Sequence, residues 1–389
     1  MTIPKITKIE LFITNKNKLS SKYTNEVINT KKYMALKTAY KLIDYVYNNA
    51  QEDSINSVIY FAGDEDLAHF EKTTKSCITY IRNKDKENNT QTKITLQLTG
   101  KNLTEDILKF IFDNQVYLKV IFNENIQPEQ AFPYESGLKL ITKYLPETFI
   151  DVIINPENIN YLYNSILYIN ELGFSKIEIK QDLYSIWTDE NFDILEQQLD
   201  LLNTYYKEKL DDYTVPDILL NYGIVFKQRI LCDYSEIHNL CRTLPLCNLT
   251  KKTGCGFNDF IVADCLGNLY TNDQIPFDVA ENNIFYVGTV ESIDSNKIGY
   301  LFEQLSEKTV SSDKLSCKKC LLNNICDGSS IVSNYIITNN LLTVPFSYCR
   351  WQQIFFKKIN EFIEYFDSAQ DNILFKDFFY GTVTRRSHE

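Results

Sequence analysis

Several absences narrow what this chain can be. No stretch of roughly 18 apolar residues occurs, so no membrane span is expected. The opening residues, Met1-Thr-Ile-Pro-Lys-Ile-Thr-Lys-Ile-Glu10, lack an apolar core of signal-peptide length. Basic charge is in deficit, with 40 Lys and Arg against 51 Asp and Glu and a net charge of −11. A general nucleic-acid role is excluded, because phosphate binding needs basic surface. There is no Gly-rich phosphate loop of the Walker or dinucleotide type and no Gly-x-Ser-x-Gly elbow. Glycine (12) and proline (9) are few, while Asn, Lys, Ile and Tyr are heavily used. That bias reflects AT-rich coding and carries no functional information. Histidine is reduced to His69, His238 and His388. His69 reads as a surface residue on a helix after Glu65, and His238, between Cys232 and Cys241, is a weak metal-ligand candidate.

What is present is a normal globular share of hydrophobic residues, 44%, in a chain of 389. That length supports one large α/β domain and a smaller one. With neither span nor signal, the expected location is the cytoplasm, where ten cysteines indicate metal binding rather than disulfides. Nine of the ten lie after residue 230, and only Cys77 precedes them. The asymmetry marks a domain boundary.

The first half alternates short apolar runs with amphipathic stretches. Strands are expected at Ile6–Thr14, Ser57–Phe61, Lys93–Leu98, Val116–Phe122, Phe149–Ile154 and Lys176–Ile179. Helices are expected at Met34–Asn48, Thr104–Phe112, Ala131–Leu145, Ile159–Leu172 and Asp189–Leu210. Such alternation implies a parallel sheet with right-handed crossovers. Six units are too few for an eight-fold barrel, so a partial (β/α)6 barrel over residues 1–215 follows. Residues 232–350 form a cysteine-rich region of short β signals and loops, with a hairpin expected near Gly267. Residues 351–389 give a C-terminal helix and tail, the helix covering about 350–367. Trp351, Ile354, Phe355, Ile359, Phe362, Ile363 and Phe366 recur on one helical face, which reads as packing on the body; a partner-binding face is the less favoured alternative.

The chemistry is concentrated in Cys317-Lys-Lys-Cys320, Cys326 and Cys349. A tight cysteine cluster with one distant return point suits an iron–sulfur or zinc centre. The acidic run Asp64-Glu65-Asp66 suggests a divalent ion, but solvated acids at a helix start explain it more simply.

In its cysteine pattern the chain resembles radical SAM proteins that carry a SPASM domain. That family's pattern is a cysteine, Gly-x4-Cys, Cys-x2-Cys-x5-Cys-x3-Cys and a last cysteine. Here Cys255 fits the first position and Gly267 the glycine, while the Gly-x4-Cys cysteine is Asn272. Cys317, Cys320 and Cys326 keep the central unit, Ser330 takes its x3-Cys position and Cys349 matches the last cysteine. The resemblance implies one auxiliary [4Fe–4S] cluster on Cys317, Cys320, Cys326 and Cys349. It implies loss of the other, whose positions include Asn272 and Ser330. Cys255 and Cys265, with Cys241 and Cys247, leave a displaced second site open. For Cys232, Cys241 and Cys247 a role as small buried hydrophobes is at least as well supported.

The same resemblance extends to the first half. Radical SAM enzymes carry Cys-x3-Cys-x2-Cys after the first strand, and its cluster binds S-adenosylmethionine. In Ile13-Thr-Asn-Lys-Asn17-Lys-Leu-Ser-Ser21-Lys-Tyr-Thr24-Asn25 those positions are Asn17, Ser21 and Thr24. An amide and two hydroxyls do not replace three thiolates on iron. Taken alone, this segment is also an ordinary helix-capping loop. About 39 residues on, the family's Gly-Gly-Glu-Pro, which recognises the methionyl amine, is Gly63-Asp64-Glu65-Asp66. Gly63 and Glu65 match; Asp64 and Asp66 do not, and a side chain at the second glycine weakens a vestigial SAM site.

The order and spacing of these motifs over about residues 10–350 resemble most the pseudo-radical-SAM/SPASM proteins of Bacteroidales Gly-Gly peptide systems. That resemblance implies a cytoplasmic pseudoenzyme of ribosomal peptide (RiPP) maturation. It would bind a precursor peptide, an active radical SAM/SPASM enzyme, or both, and would not use SAM. With the first strand near residue 6, no peptide-recognition domain is expected ahead of the barrel. Two alternatives stand beside it: an electron-transfer subunit serving the partner, and an enzyme of another class stabilised by zinc.

Overall fold

The computed structural model describes residues 6–14, 33–52, 56–64, 67–124, 134–211, 221–222, 260–271, 284–294, 296–298, 320, 322, 331–341 and 343–368. In chain order the strands are β1 (Lys8–Phe12), β2 (Val58–Ala62), β3 (Lys93–Leu98), β4 (Val116–Phe122), β5 (Phe149–Ile154), β6 (Lys176–Gln181), β7 (Phe260–Ala263), β8 (Asn268–Tyr270), β9 (Tyr286–Thr289) and β10 (Ser292–Ile293). The helices are α1 (Leu36–Glu52), α2 (Lys75–Asn88), α3 (Glu105–Asp113), α4 (Glu135–Tyr144), α5 (Leu162–Glu171), α6 (Asp189–Asp211), α7 (Ile331–Thr338) and α8 (Phe346–Ser368). Each of β1 to β6 is followed by a helix, the succession expected of a (β/α)6 partial barrel. Two compact units result, one of Met1–Ile121, Ala131–Thr148 and Thr253–Ser311, the other of Phe122–Gln130, Phe149–Lys252 and Ser312–Glu389.

In the first unit β1, β2, β3 and β4 run parallel, and β7 joins the free edge of β1, also parallel. The register aligns Ile261, Ile9, Ile59, Ile94 and Val116 across five strands, each at most 4% exposed. Two residues further on, Ala263, Leu11, Phe61, Leu96 and Leu118 form a second buried row. Period-2 alternation places both rows on one face of the sheet.

The helix ends follow local chemistry. Thr104 caps α3 by accepting the Ile107 N–H at 3.3 Å, with Glu105 and Asp106 in the first turn. Asn89 ends α2 in the left-handed conformation at φ 52°. The helix expected after Glu65, to which no bounds were assigned, is α2; a turn of π-helix, Phe70–Thr74, leads directly into it. His69 correspondingly lies just before this helical segment, not within it.

The hairpin expected near Gly267 is β7–β8, antiparallel, with Gly267 at φ +88°. Asp264 Oδ1 accepts the N–H groups of Leu266 and Asn268, both at 2.9 Å, and Oδ2 accepts from the Asn268 amide at 2.8 Å. A Cβ on Gly267 would lie 2.8 Å from the Thr38 methyl on α1, so helix and hairpin pack closely.

In the second unit β5 and β6 pair in parallel, with Ile150 opposite Ile177 and Val152 opposite Ile179. Helix α8 runs along α6. Of its apolar stripe, Trp351, Ile354, Phe355, Ile359, Phe362 and Ile363 are all at most 4% exposed. Trp351 meets Trp187 edge-on at 5.3 Å, and Phe362 meets Tyr222 edge-on at 5.2 Å. The stripe is therefore core of this unit, as its spacing indicated. No helix among the described residues is long and apolar enough to cross a membrane.

Candidate functional site

The carboxyl ends of parallel strands are where open α/β folds place their sites. At the ends of β1 and β2 the backbone is tightly tied. The Ile13 N–H donates to Ala62 O at 2.8 Å and the Met34 N–H donates to Ile13 O at 2.8 Å. Thr14 and Tyr33 form an antiparallel bridge. Asn17, Ser21 and Thr24 lie outside the described residues, but the two ends of their segment, Thr14 and Tyr33, stand side by side at the end of β1.

Gly63 follows β2 at φ +81°. A Cβ there would sit 3.2 Å from both Thr14 O and Thr14 Oγ1, so the position favours glycine twice over. The Thr14 hydroxyl donates to Gly63 O in a short, buried hydrogen bond. Asp64 is 1% exposed, which corrects its reading as a solvated acid. Its Oδ1 accepts the His69 N–H at 3.1 Å, and its carbonyl accepts the Leu67 N–H at 2.8 Å. Leu67 takes φ 57°, a left-handed residue closing the turn. His69, expected on the surface, is half-buried with its ring stacked on Tyr33. Glu65, the other match to the family turn, lies outside the described residues.

The expected metal ligands divide between the units. Cys320 and Cys349 belong to the second unit, and each is partly exposed. Cys349 occupies the first turn of α8, where its N–H donates to Pro345 O at 3.1 Å. Cys317, Cys326 and Cys255 lie outside the described residues, as do Asn272 and Ser330. Cys265 is buried in the β7–β8 turn of the first unit, beside Asp264. Burial pushes the Asp264 carboxyl above its ordinary range, against the hydrogen bonds from Asn268, Leu266 and Gly267. Cys77 is fully buried on α2, and desolvation pushes its thiol up to about 12, the behaviour of a structural residue. Among the described residues no three His, Cys, Asp or Glu side chains converge on a metal position. Of the four cysteines expected to share one centre, only Cys320 and Cys349 fall among the described residues.

Thr14, Tyr33 and His69 were not singled out as members of this mouth by the sequence. The available signal was positional: Thr14 precedes the cysteine-free segment, Tyr33 follows it, and His69 falls five residues after Asp64.

No protein-family model and no curated protein matches the chain by sequence. Solved structures match its fold. Native anSMEcpe with bound AdoMet aligns with TM-score 0.65 at 15% identity, over 93% of this chain and 100% of that chain. The same protein with AdoMet and Cp18Cys peptide gives 0.66 at 15% identity, over 93% and 100%. Streptococcus suis SuiB bound to precursor peptide SuiA gives 0.56 at 9% identity, over 88% of this chain and 76% of that chain. At these identities the likeness is one of fold. The chain has a mixed α/β fold, a parallel sheet with helices, that matches the folds of radical SAM/SPASM enzymes.

Proposed function

We propose that this chain is a cytoplasmic, non-catalytic member of a peptide-maturation pathway, which binds a precursor peptide, an active radical SAM/SPASM partner, or both. The observation that carries the reading is the turn after β2. There a buried Asp64 carboxylate caps the His69 N–H, at the position where the family's motif has a glycine beside the cofactor. The Gly63 carbonyl is already engaged by Thr14. With Asn17, Ser21 and Thr24 at the ligand positions of the first-strand loop, the donor set does not fit an iron–sulfur cluster that binds SAM. That SuiB was solved with precursor peptide SuiA bound, and anSMEcpe with Cp18Cys peptide, supports peptide as the class of molecule recognised on this fold.

In the second unit Cys317, Cys320, Cys326 and Cys349 would hold one auxiliary [4Fe–4S] cluster. Bound there, it would supply folding energy and one-electron redox capacity. The partial exposure of Cys320 and Cys349 favours a second reading, electron transfer to the partner enzyme from that same centre.

Co-expression of the partner enzyme and precursor, with and without this chain, tests the proposal. Modified precursor should increase when the chain is present, and the chain should co-purify with one of the two. Equal yield and no co-purification, with all proteins soluble and their clusters loaded, would reject it.

A further inference from the structure

The contacts at the mouth of β1 and β2 close on themselves. Gly63 leads into Asp64, whose carboxylate holds the His69 N–H. The His69 ring stacks on Tyr33, and Tyr33 pairs through its backbone with Thr14. The Thr14 hydroxyl returns to the Gly63 carbonyl. Every link is internal to the protein, and the two most polar members, Thr14 and Asp64, are 4% and 1% exposed. A carboxylate this buried is costly unless it is bonded, so the hydrogen bond from the His69 N–H to Asp64 Oδ1 is part of the fold and not an incidental surface contact.

We infer that Thr14, Tyr33, Gly63, Asp64 and His69 form a closed clasp that organises this mouth without a ligand. The inference rests on the reading that the mouth is non-catalytic, and it adds what has replaced the cofactor. The carbonyl at Gly63 is satisfied by Thr14. The side chain at position 64 turns inward to cap the following helical turn. The two ends of segment 15–32 are fastened by the Thr14–Tyr33 bridge and the stack on His69. Asp64 is thus a positioning residue, and its departure from the family's glycine is a structural gain.

A ring of contacts predicts coupling between members that do not touch, because breaking one link frees the others. Asp64→Ala, Tyr33→Ala and the double variant should be compared by thermal unfolding and by hydrogen exchange of the peptide covering residues 67–74. Asp64→Ala should lower Tm by a few degrees and speed exchange at the His69 amide by about tenfold. Asp64→Asn, which keeps an oxygen acceptor, should restore most of both. The double variant should lose less than the sum of the single losses. Saturating SAM should leave the wild-type Tm unchanged. Additive losses, wild-type exchange in Asp64→Ala, or a rise in Tm with SAM would each overturn the clasp. Should Asp64→Ala fail to fold, Thr14→Val paired with His69→Leu gives the same cycle, between two members that share no direct link in the ring. The functional proposal stands or falls separately on precursor yield in co-expression, so a failed clasp with a raised yield rejects only the clasp.

Discussion

Lys358 Nζ lies 2.7 Å from Asp200 Oδ1 and thereby ties helix α8 to helix α6. The same ammonium reaches Glu196 at 3.2 Å and Glu361 at 3.3 Å, while its own side chain is only 8% exposed. Burial alone would lower the Lys358 pKa; the hydrogen bonds to Asp200, Glu196 and Glu361 outweigh it and hold the value above the ordinary 10.5. Glu196 is held below its ordinary 4.5 by Lys357 first and Lys358 second, against burial.

Lys358→Ala should therefore destabilise the second unit by about 1–2 kcal/mol, the partly exposed carboxylates moderating the loss. The pH signs are opposite for the two partners. The contribution of Lys358 is complete below pH 10.5 and is lost as pH rises through its higher folded value. The contribution of Glu196 is present above pH 4.5 and is lost as pH falls through its lower folded value. Thermal unfolding between these limits should show a plateau that is higher in the wild type than in Lys358→Ala. Equal stability of the two proteins at neutral pH would contradict the assignment.

Asp85 should be a second stability centre, at the join of α2 and β3. It is 6% exposed and accepts from Arg82 at 2.7 Å, from the Thr92 hydroxyl at 2.8 Å and from the Thr90 hydroxyl at 2.9 Å. Arg82 also donates to the carbonyls of Thr92, Asn114 and Gln115. Asp85→Ala leaves a mostly buried guanidinium without its counter-charge, and about 3–5 kcal/mol should be lost. Urea unfolding measures this; a loss below about 1 kcal/mol would show that the network is dispensable.

Much of this architecture was legible in the residues, for identifiable reasons. Lys93–Leu98, Val116–Phe122 and Phe149–Ile154 are β-branched runs with clear turn boundaries, and they match the observed strands at both ends. The α8 stripe was legible because large apolar side chains recur at helical spacing. Helix α2, Lys75-Ser-Cys-Ile-Thr-Tyr-Ile-Arg-Asn-Lys-Asp-Lys-Glu-Asn88, lacks so clean a face; Cys77, Ile78, Ile81 and Asp85 are its buried positions, and one of them is charged. Helix α7 is short, and its Ile, Val and Tyr residues are β-branched or aromatic types that favour strand over helix. The pairing of β7 with β1 joins segments some 250 residues apart and leaves no local signal. At the mouth, spacing located the Gly63 turn, but the inward turn of Asp64 depends on a backbone N–H five residues away. Glu65, Cys255, Cys317 and Cys326 remain expectations from pattern alone.

Cysteine chemistry should separate the structural thiol from the proposed ligands. Anaerobically reconstituted protein should carry about four irons per chain, and Cys320→Ala or Cys349→Ala should remove most of them. After metal removal under native conditions, Cys320 and Cys349 should alkylate readily, being partly exposed, while Cys77 should not. Near eight irons would place a second cluster on Cys255, Cys265 and their neighbours. Zinc without iron would favour an enzyme of another class.

The central claim is that this chain keeps the radical SAM/SPASM scaffold without its SAM chemistry. The most direct measurement is 5′-deoxyadenosine formation by the reconstituted protein with dithionite and SAM. The account predicts none above a protein-free control. Turnover that persists after removal of contaminating radical SAM enzymes would contradict it.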